Sequence, residues 1–257
     1  MSLLRTMASL LAAGSMLISA PLNTAAPQND FNGRLFLCNR QFMVSPEYMP
    51  ENLRSADVPG QVRRMREEAA AALEEMFAAC KAETKKTLIS VSGFRSYATQ
   101  QGIYRRKLRS VKGSVERAQQ YVAPPGASEH QLGLAMDIGQ KSDPHLNASF
   151  GKTKGGIWTR ENCWRFGFIL RYNEGWESVT GYNYEPWHFR YVGKEYSKSI
   201  HDAGVPFETW LAEHRTALLT ELIRSDRILR PQPPAEEPAQ MSGAAPEADS
   251  KTEAESK

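Results

Sequence analysis

Apolar residues recur at three- and four-residue steps from Val62 through Met65, Ala69, Ala72, Leu73, Met76 and Phe77 to Cys80, while Arg63, Arg64, Arg66, Glu67 and Glu68 fill much of the other face. This period predicts an amphipathic helix of roughly 22 residues whose stripe packs on a core, with Asp57 as its cap and Pro59 near its first turn. Residues 27–56 show little periodicity and read as an extended, loop-rich lead-in. After the helix the pattern shortens. Thr87–Val91 is a short β-rich run ended by Ser92-Gly93. Phe94-Arg95-Ser96-Tyr97 leads into a polar helix through Gln100, Gln101, Tyr104 and Leu108, Gly113 breaks it, and Ser114 caps a second short helix over 114–121.

Ala123-Pro124-Pro125-Gly126 cannot continue a helix and delivers the chain to Ser128 and His130. Leu134 to Ile138 alternates as a strand, so His130 falls on a loop and Asp137 in or near a strand end. Residues 143–156 are polar with three glycines and predict a surface loop; 159–166 predict a short helix, and 166–172 the next strand. Tyr182 to Val192 predicts the final strand. Pro186 removes a ladder donor there, which puts the segment at a sheet edge or a bulge and helps bring Glu185 and His188 to one side. Lys194 to Ala203 reads as a helix ended by Gly204, and Pro206 starts another that runs to about Arg230. The fold class is α+β: a small, mostly antiparallel sheet flanked by helices, in one domain with a helical N-terminal lead-in and a disordered C-terminal tail.

Composition adds the ends of the chain. With 41% hydrophobic residues the chain builds a sizeable core, and its net charge of +3 gives no reason to expect nucleic acid. That charge is uneven: residues 231–257 carry six acidic and two basic groups, and their Pro, Ala, Glu and Ser content predicts a disordered acidic tail. At the other end Arg5 precedes an apolar run from Met7 to Ala20 and then small residues, so 1–26 reads as a secretory signal peptide, with an uncleaved membrane anchor as the alternative. Residues 27–84 are the extension and packing helix, and 85–230 the main domain with its C-terminal helices. The expectation is an exported protein of the periplasm or cell envelope, and a monomer. Cys38, Cys80 and Cys163 match no zinc-finger spacing; in an exported protein Cys38 with Cys80 is the expected disulfide, and Cys163 a small core residue.

The chemistry lies in two segments. Ser128 to Asp137 holds an imidazole and a carboxylate, and Glu185-Pro186-Trp187-His188 holds a second of each. Two His, one Asp and one Glu suffice for a hydrolytic zinc site in which three groups hold one ion and the fourth works on water. This is not the helical His-Glu-x-x-His arrangement, so the ligands must converge from a sheet. Taken singly, each residue has a structural reading: a satisfied core histidine, a strand-end cap, a surface charge. His145, His201 and His214 lie outside the motifs and read as surface or packing residues.

Ser92-Gly93-Phe94-Arg95-Ser96-Tyr97 with Gln100, then Ser128-x-His130-x-x-Gly133-x-Ala135-x-Asp137, then Glu185-Pro186-Trp187-His188, resemble the VanY-type D-alanyl-D-alanine carboxypeptidases. These belong to the wider zinc peptidase group that includes lysostaphin and the hedgehog domain. The resemblance spans roughly residues 85–212. It implies zinc ligands at His130, Asp137 and His188, a catalytic base at Glu185 and charge stabilisation by Arg95. It also implies a hold on the substrate carboxylate at Ser128, with Gln100 and Trp187 as further substrate contacts. The implied substrate is the peptidoglycan stem peptide, losing its terminal D-alanine. A related L,D-carboxypeptidase, dipeptidase or endopeptidase is the alternative; an inactive wall-binding module is more remote, because it needs no base at Glu185.

Overall fold

The structure is a computed structural model and describes residues 33–224. The leader at 1–26 and the tail at 231–257 lie outside the described residues. The described residues form one compact unit up to Arg215; from Thr216 a second unit begins, described only as the end of the last helix.

A two-stranded ribbon, β1 (Leu53–Ser55) and β2 (Arg64–Arg66), precedes helix α1 (Glu67–Thr84). The amphipathic helix therefore exists but starts at Glu67, not near Asp57. Gly60 is the reason. Its φ of +129° has no place in a helix, and a Cβ there would meet the Ser90 carbonyl oxygen at 2.1 Å. Pro59-Gly60 instead turns the ribbon and lies beside β3 (Leu88–Ser92), whose Ser90 N–H donates to the Pro59 carbonyl at 2.8 Å. Asp57 caps nothing; its N–H donates to Glu74 Oε1 at 2.7 Å. Glu67 and Glu68 in the first turn suit the helix dipole, and Lys85 in the left-handed conformation ends it.

β3 is followed by α2 (Tyr97–Ser110), which Ser96 caps by accepting from the Thr99 N–H, and by α3 (Val115–Gln119), which Ser114 caps. A 3-10 turn, Glu129–Leu132, carries His130 into β4 (Ala135–Gln140). Residues 143–156 are only partly a loop. A 3-10 turn at Phe150–Lys152 and helix α4 (Lys154–Asn162) replace its second half, with Thr153 as cap and a further 3-10 turn at Cys163–Phe166. Gly155 and Gly156 are packing glycines here: a Cβ on Gly156 would lie 1.9 Å from the Phe150 carbonyl oxygen. β5 (Phe168–Leu170), α5 (Glu177–Thr180), β6 (His188–Tyr191), α6 (Lys194–Ala203) and α7 (Phe207–Arg224) complete the order.

The main sheet is antiparallel with strand order β3-β4-β6-β5. β6 is thus an interior strand, contrary to the expected edge or bulge. Only four residues of the expected eleven-residue strand pair, and Pro186 falls before them in a turn closed by the His188 N–H donating to the Glu185 carbonyl at 3.1 Å. Pro in that turn removes no ladder donor. The sheet has two unlike faces because strand side chains alternate. Met136, Ile138 and Phe189 enter the core with Leu73, Met76 and Phe77 of α1. Asp137, His188 and Arg190 face the other way. The lead-in is stitched to this second face: Arg190 donates to the carbonyls of Arg34 and Phe36 at 2.9 and 3.0 Å, and Gln131 to Ser45 at 3.0 Å.

All three cysteines are free and buried, which overturns the expected Cys38–Cys80 disulfide. The Cys38 thiol turns to the Gly126 carbonyl at 3.5 Å, and the Cys80 thiol lies 3.6 Å from the Thr84 hydroxyl. Burial pushes the Cys163 thiol up to about 12, as befits an inert core residue. Among the described residues no helix is long and apolar enough to cross a membrane.

Candidate metal centre and cleft

Sheet register does most of the work of assembling the site. Asp137 on β4 stands directly opposite His188 on β6, so their side chains share a face as cross-strand neighbours. His130 reaches the same point from the 3-10 turn before β4, and its ring meets that of His188 edge-on with centroids 5.0 Å apart. One ligand atom from each of His130, Asp137 and His188 lies within 4.8 Å of the others, and all three residues are buried.

These residues fit a divalent ion. His130 Nδ1–H donates to the Gly93 carbonyl at 2.8 Å, which fixes the tautomer and leaves Nε2 with a lone pair. That Nε2 is buried, has no hydrogen-bond partner, and faces Asp137 Oδ2 at 3.3 Å. Two acceptors turned toward each other in a buried site are stable only with a cation between them. Burial, aided by the positive charge of Arg95, lowers His130 to about 4, so it is neutral and ready to ligate. His188 offers Nδ1, 3.0 Å from Asp137 Oδ1, while its Nε2 is taken by Glu129 Oε2 at 3.3 Å. Burial opposes a charged ring here, but the hydrogen bonds that the ring donates to Asp137 and Glu129 outweigh it and raise His188 to about 9. Burial would raise Asp137 too, yet the two imidazoles hold it well below the carboxylate range. An N,O,N donor set of this kind suits zinc.

Glu185 stands beside this cluster, its Oε2 3.9 Å from His188 Nδ1. The turn that Pro186 makes sets it there, and its N–H donates to the Tyr172 carbonyl at 3.0 Å. Burial is the main cause that raises its carboxyl to about 8, with the Asp137 charge adding to it. Arg95 comes from the segment beyond β3, where a bulge between Ser90 and Ser92 ends regular pairing. Its guanidinium reaches Asp137 Oδ2 at 3.5 Å, and its Nε is buried without a partner.

Behind the ligands lies a buried charge network that the sequence reading missed. Glu129, fully buried, accepts from Arg171 Nε at 2.8 Å and from Arg190 Nη1 at 3.0 Å as well as from His188. Arg171 also makes a forked pair with Glu208. Burial works against the Glu129 carboxylate, but the two guanidiniums hold its pKa well below the ordinary value. Glu129 thereby orients the His188 ring. A signal was present: arginines inside apolar, aromatic strand sequences (Leu170-Arg171-Tyr172, Phe189-Arg190-Tyr191) need a buried acidic partner.

The cleft is lined by His130, His188, Glu185, Arg95, Ser128 and Gln100, with Tyr172 and Tyr182 as walls. Gln100 is pinned by donating to the Ala123 carbonyl at 2.7 Å, which leaves its buried Oε1 without a partner. Trp187 is not among the lining residues; it packs half-buried against the core on the other face. His201 and His214 stack on Trp164 and Trp210, away from the cleft.

The family model described as D-alanyl-D-alanine carboxypeptidase, VanY, matches residues 62–194. The chain belongs to this family. Within it, the chain is 44% identical to YodJ of Bacillus subtilis (strain 168) over 183 residues, 68% of this chain and 66% of that protein. It therefore spans just under two thirds of that relative's length. The solved LdcB LD-carboxypeptidase is similar at 43% identity with a TM-score of 0.66, covering 70% of this chain and 86% of that one. A vancomycin-resistance D,D-pentapeptidase VanY variant, solved in complex with Zn(II), is similar at 34% identity with a TM-score of 0.59, covering 69% of this chain and 98% of that one.

Proposed function

We propose that this chain is a zinc-dependent carboxypeptidase that removes the terminal D-alanine from peptidoglycan stem peptides. The observation that carries the reading is the orphaned His130 Nε2 aimed at Asp137 and His188, with Glu185 beside them in a cleft of a D-alanyl-D-alanine carboxypeptidase family member. His130, Asp137 and His188 would hold the ion. Zinc at such a site acidifies water and polarises a carbonyl.

The chain's own residues account for the rest. Glu185 takes the proton that water loses on attacking the scissile carbonyl carbon. It then gives that proton to the nitrogen as the C–N bond breaks, so that free D-alanine leaves as a neutral amine. Burial makes the Glu185 carboxylate a stronger proton acceptor in the metal-free chain, and the charge of a bound cation would keep it ionised until it takes that proton. The Arg95 guanidinium, 3.5 Å from Asp137 in the same cleft, would share the negative charge that develops on the carbonyl oxygen. Ser128 lines the cleft and would help hold the substrate's terminal carboxylate. Tyr172 and Tyr182 wall the site against bulk water, and Glu129 keeps His188 turned with Nδ1 inward.

A second reading, L,D-carboxypeptidase activity on the tetrapeptide, is favoured by the higher identity and TM-score to LdcB than to the D,D-pentapeptidase. Mass spectrometry of purified stem pentapeptide and tetrapeptide after incubation with zinc and protein separates the two. Loss of one alanine from the pentapeptide alone supports D,D specificity; loss from the tetrapeptide supports the second reading; no product from either overturns both. A substrate outside the cytoplasm goes with export to the periplasm or envelope, which the apolar run from Met7 to Ala20 supports and which fractionation of cells carrying the tagged chain tests.

A further inference from the structure

The strongest unassigned feature is the helical hairpin at the cleft mouth. Residues 105–117 carry Arg105, Arg106, Lys107, Arg109, Lys112 and Arg117 against the single acid Glu116, a net +5 in a chain whose total is +3. The positive charge of the molecule is thus concentrated on one hairpin, and the remainder is net negative. The hairpin stands off the body: of the fourteen residues of α2 only Gln100 is buried, and of α3 only Ala118. Some basic side chains elsewhere find acids, as Arg34 does with Glu195, Arg54 with Glu74 and Arg165 with Glu83. None of the six on the hairpin has an acidic partner within ion-pair distance among the described residues. Arg105 and Arg109 are even placed one turn apart, where like charges weaken a helix.

The hairpin is also continuous with the cleft. Tyr121, Val122 and Ala123, which follow α3, line it, and so does Gln100 from α2. Lys107 lies 3.9 Å from the centre of the Tyr121 ring, so the charged surface and the cleft rim meet in one contact. Tyr121 and Val115 leave large apolar surfaces exposed on the same hairpin.

We infer that the α2–α3 hairpin is an electrostatic subsite that holds the carboxylate-bearing part of the substrate peptide upstream of the scissile bond. This rests on the peptidase reading above and narrows it: the preferred substrates are extended peptides with free side-chain or α-carboxylates, not short neutral ones. The spacing suits such a chain. Arg105 and Arg109 are about 6 Å apart along the helix axis, close to two residues of an extended peptide. Tyr121 supplies a flat apolar floor between the cleft and the first cation.

The test compares two substrates at two salt concentrations. One is a blocked tripeptide, Nα,Nε-diacetyl-lysyl-D-alanyl-D-alanine, which lacks carboxylates upstream of the cleaved bond. The other is a purified muropeptide with its carboxylates free. Between about 20 and about 300 mM salt the screening length falls from about 20 Å to about 6 Å. The KM for the muropeptide is expected to rise about tenfold with kcat unchanged, and the KM for the blocked tripeptide to stay constant. The triple variant Arg105→Ser, Arg109→Ser, Lys112→Ser should raise the muropeptide KM by a similar factor at low salt and flatten its salt dependence. Amidating the muropeptide carboxylates should reproduce that loss with the unaltered chain, whatever the variant's folding. Fluorescence anisotropy of labelled muropeptide on Glu185→Gln gives the same comparison without turnover. Salt-sensitive binding without cleavage of either peptide keeps the subsite and overturns the peptidase reading. Cleavage of both peptides with no salt or amidation effect overturns the subsite. So does a variant that loses only binding to phosphatidylglycerol vesicles, since the hairpin would then face a membrane.

Discussion

Glu129→Gln is the substitution that asks most of the structure. The side chain keeps its volume, but every group around Glu129 is a donor: Arg171 Nε, Arg190 Nη1 and His188 Nε2. A Gln oxygen can still accept from one or two of them, while its NH₂ must face the remaining one, two donors in contact in a site without water access. The change also removes one negative charge from a set in which Glu129 and Glu208 balance Arg171 and Arg190, so a buried guanidinium is left uncompensated. Removing one partner from a buried pair costs about 3–5 kcal/mol, a large part of the stability of a domain. Losing the group that orients a metal-ligating histidine costs about 10- to 100-fold in metal affinity. Urea unfolding of the metal-free protein at constant slope, together with zinc affinity by chelator competition, reads the two effects separately. Glu208→Gln is the control: Glu208 is partly exposed and touches only Arg171 of the network, so it should cost less and leave zinc affinity nearly unchanged. A Glu129→Gln protein with stability within about 1 kcal/mol of the parent and unaltered zinc affinity refutes the positioning role.

Four further outcomes follow from the same geometry. Glu185→Gln should retain zinc and lose turnover by about 10²- to 10⁴-fold; loss of the metal instead would mean that base and ligand are interchanged. In the metal-free protein the Glu185 carboxyl is raised to about 8 and His188 to about 9. Both folded values exceed the unfolded ones, near 4.5 and 6.5, so their stabilising contribution is complete below those values and is lost as pH rises to 8 and 9, and the metal-free protein should lose stability across that range. Zinc needs His188 deprotonated, so its affinity should climb over the same window and its binding at pH 7 should release protons, measured by calorimetry in two buffers of different ionisation enthalpy. A binding enthalpy independent of the buffer contradicts this. Gly156→Ala should destabilise the protein by about 1–3 kcal/mol through the Phe150 carbonyl clash, seen as a lower urea midpoint; an unchanged midpoint would mean that the α4 entrance yields.

What could be read from the sequence divides along a physical line. The four candidate residues were legible because a hydrolytic zinc site demands particular atoms whatever the fold, and the two motifs supplied them, with the family resemblance dividing them into ligands and base; β4 and β6 bring Asp137 and His188 together through ordinary cross-strand register. The helix at 194–203 was legible because Gly204 ends it in the left-handed conformation that glycine takes at little cost. The start of α1 was not, because Pro59-Gly60 looks like a helix entrance when only local signals count, whereas the positive φ of Gly60 and its contact with Ser90 are tertiary. The same holds for Pro186, read as a strand irregularity when it belongs to the turn that seats Glu185. Glu129 hid beside the ligand His130: nothing local distinguishes a buried glutamate from a surface one until Arg171, 42 residues away, and Arg190, 61 residues away, arrive on its carboxylate.

The convergence of His130, Asp137 and His188 on one ion is most directly tested by an anomalous difference map at the zinc edge from crystals of the zinc-loaded protein. The expected result is a single peak bonded to His130 Nε2, an Asp137 carboxylate oxygen and His188 Nδ1 at about 2.0–2.2 Å, with Glu185 beside it and unbonded. A peak ligated elsewhere, or one held through His188 Nε2 with Glu129 displaced, would contradict the account.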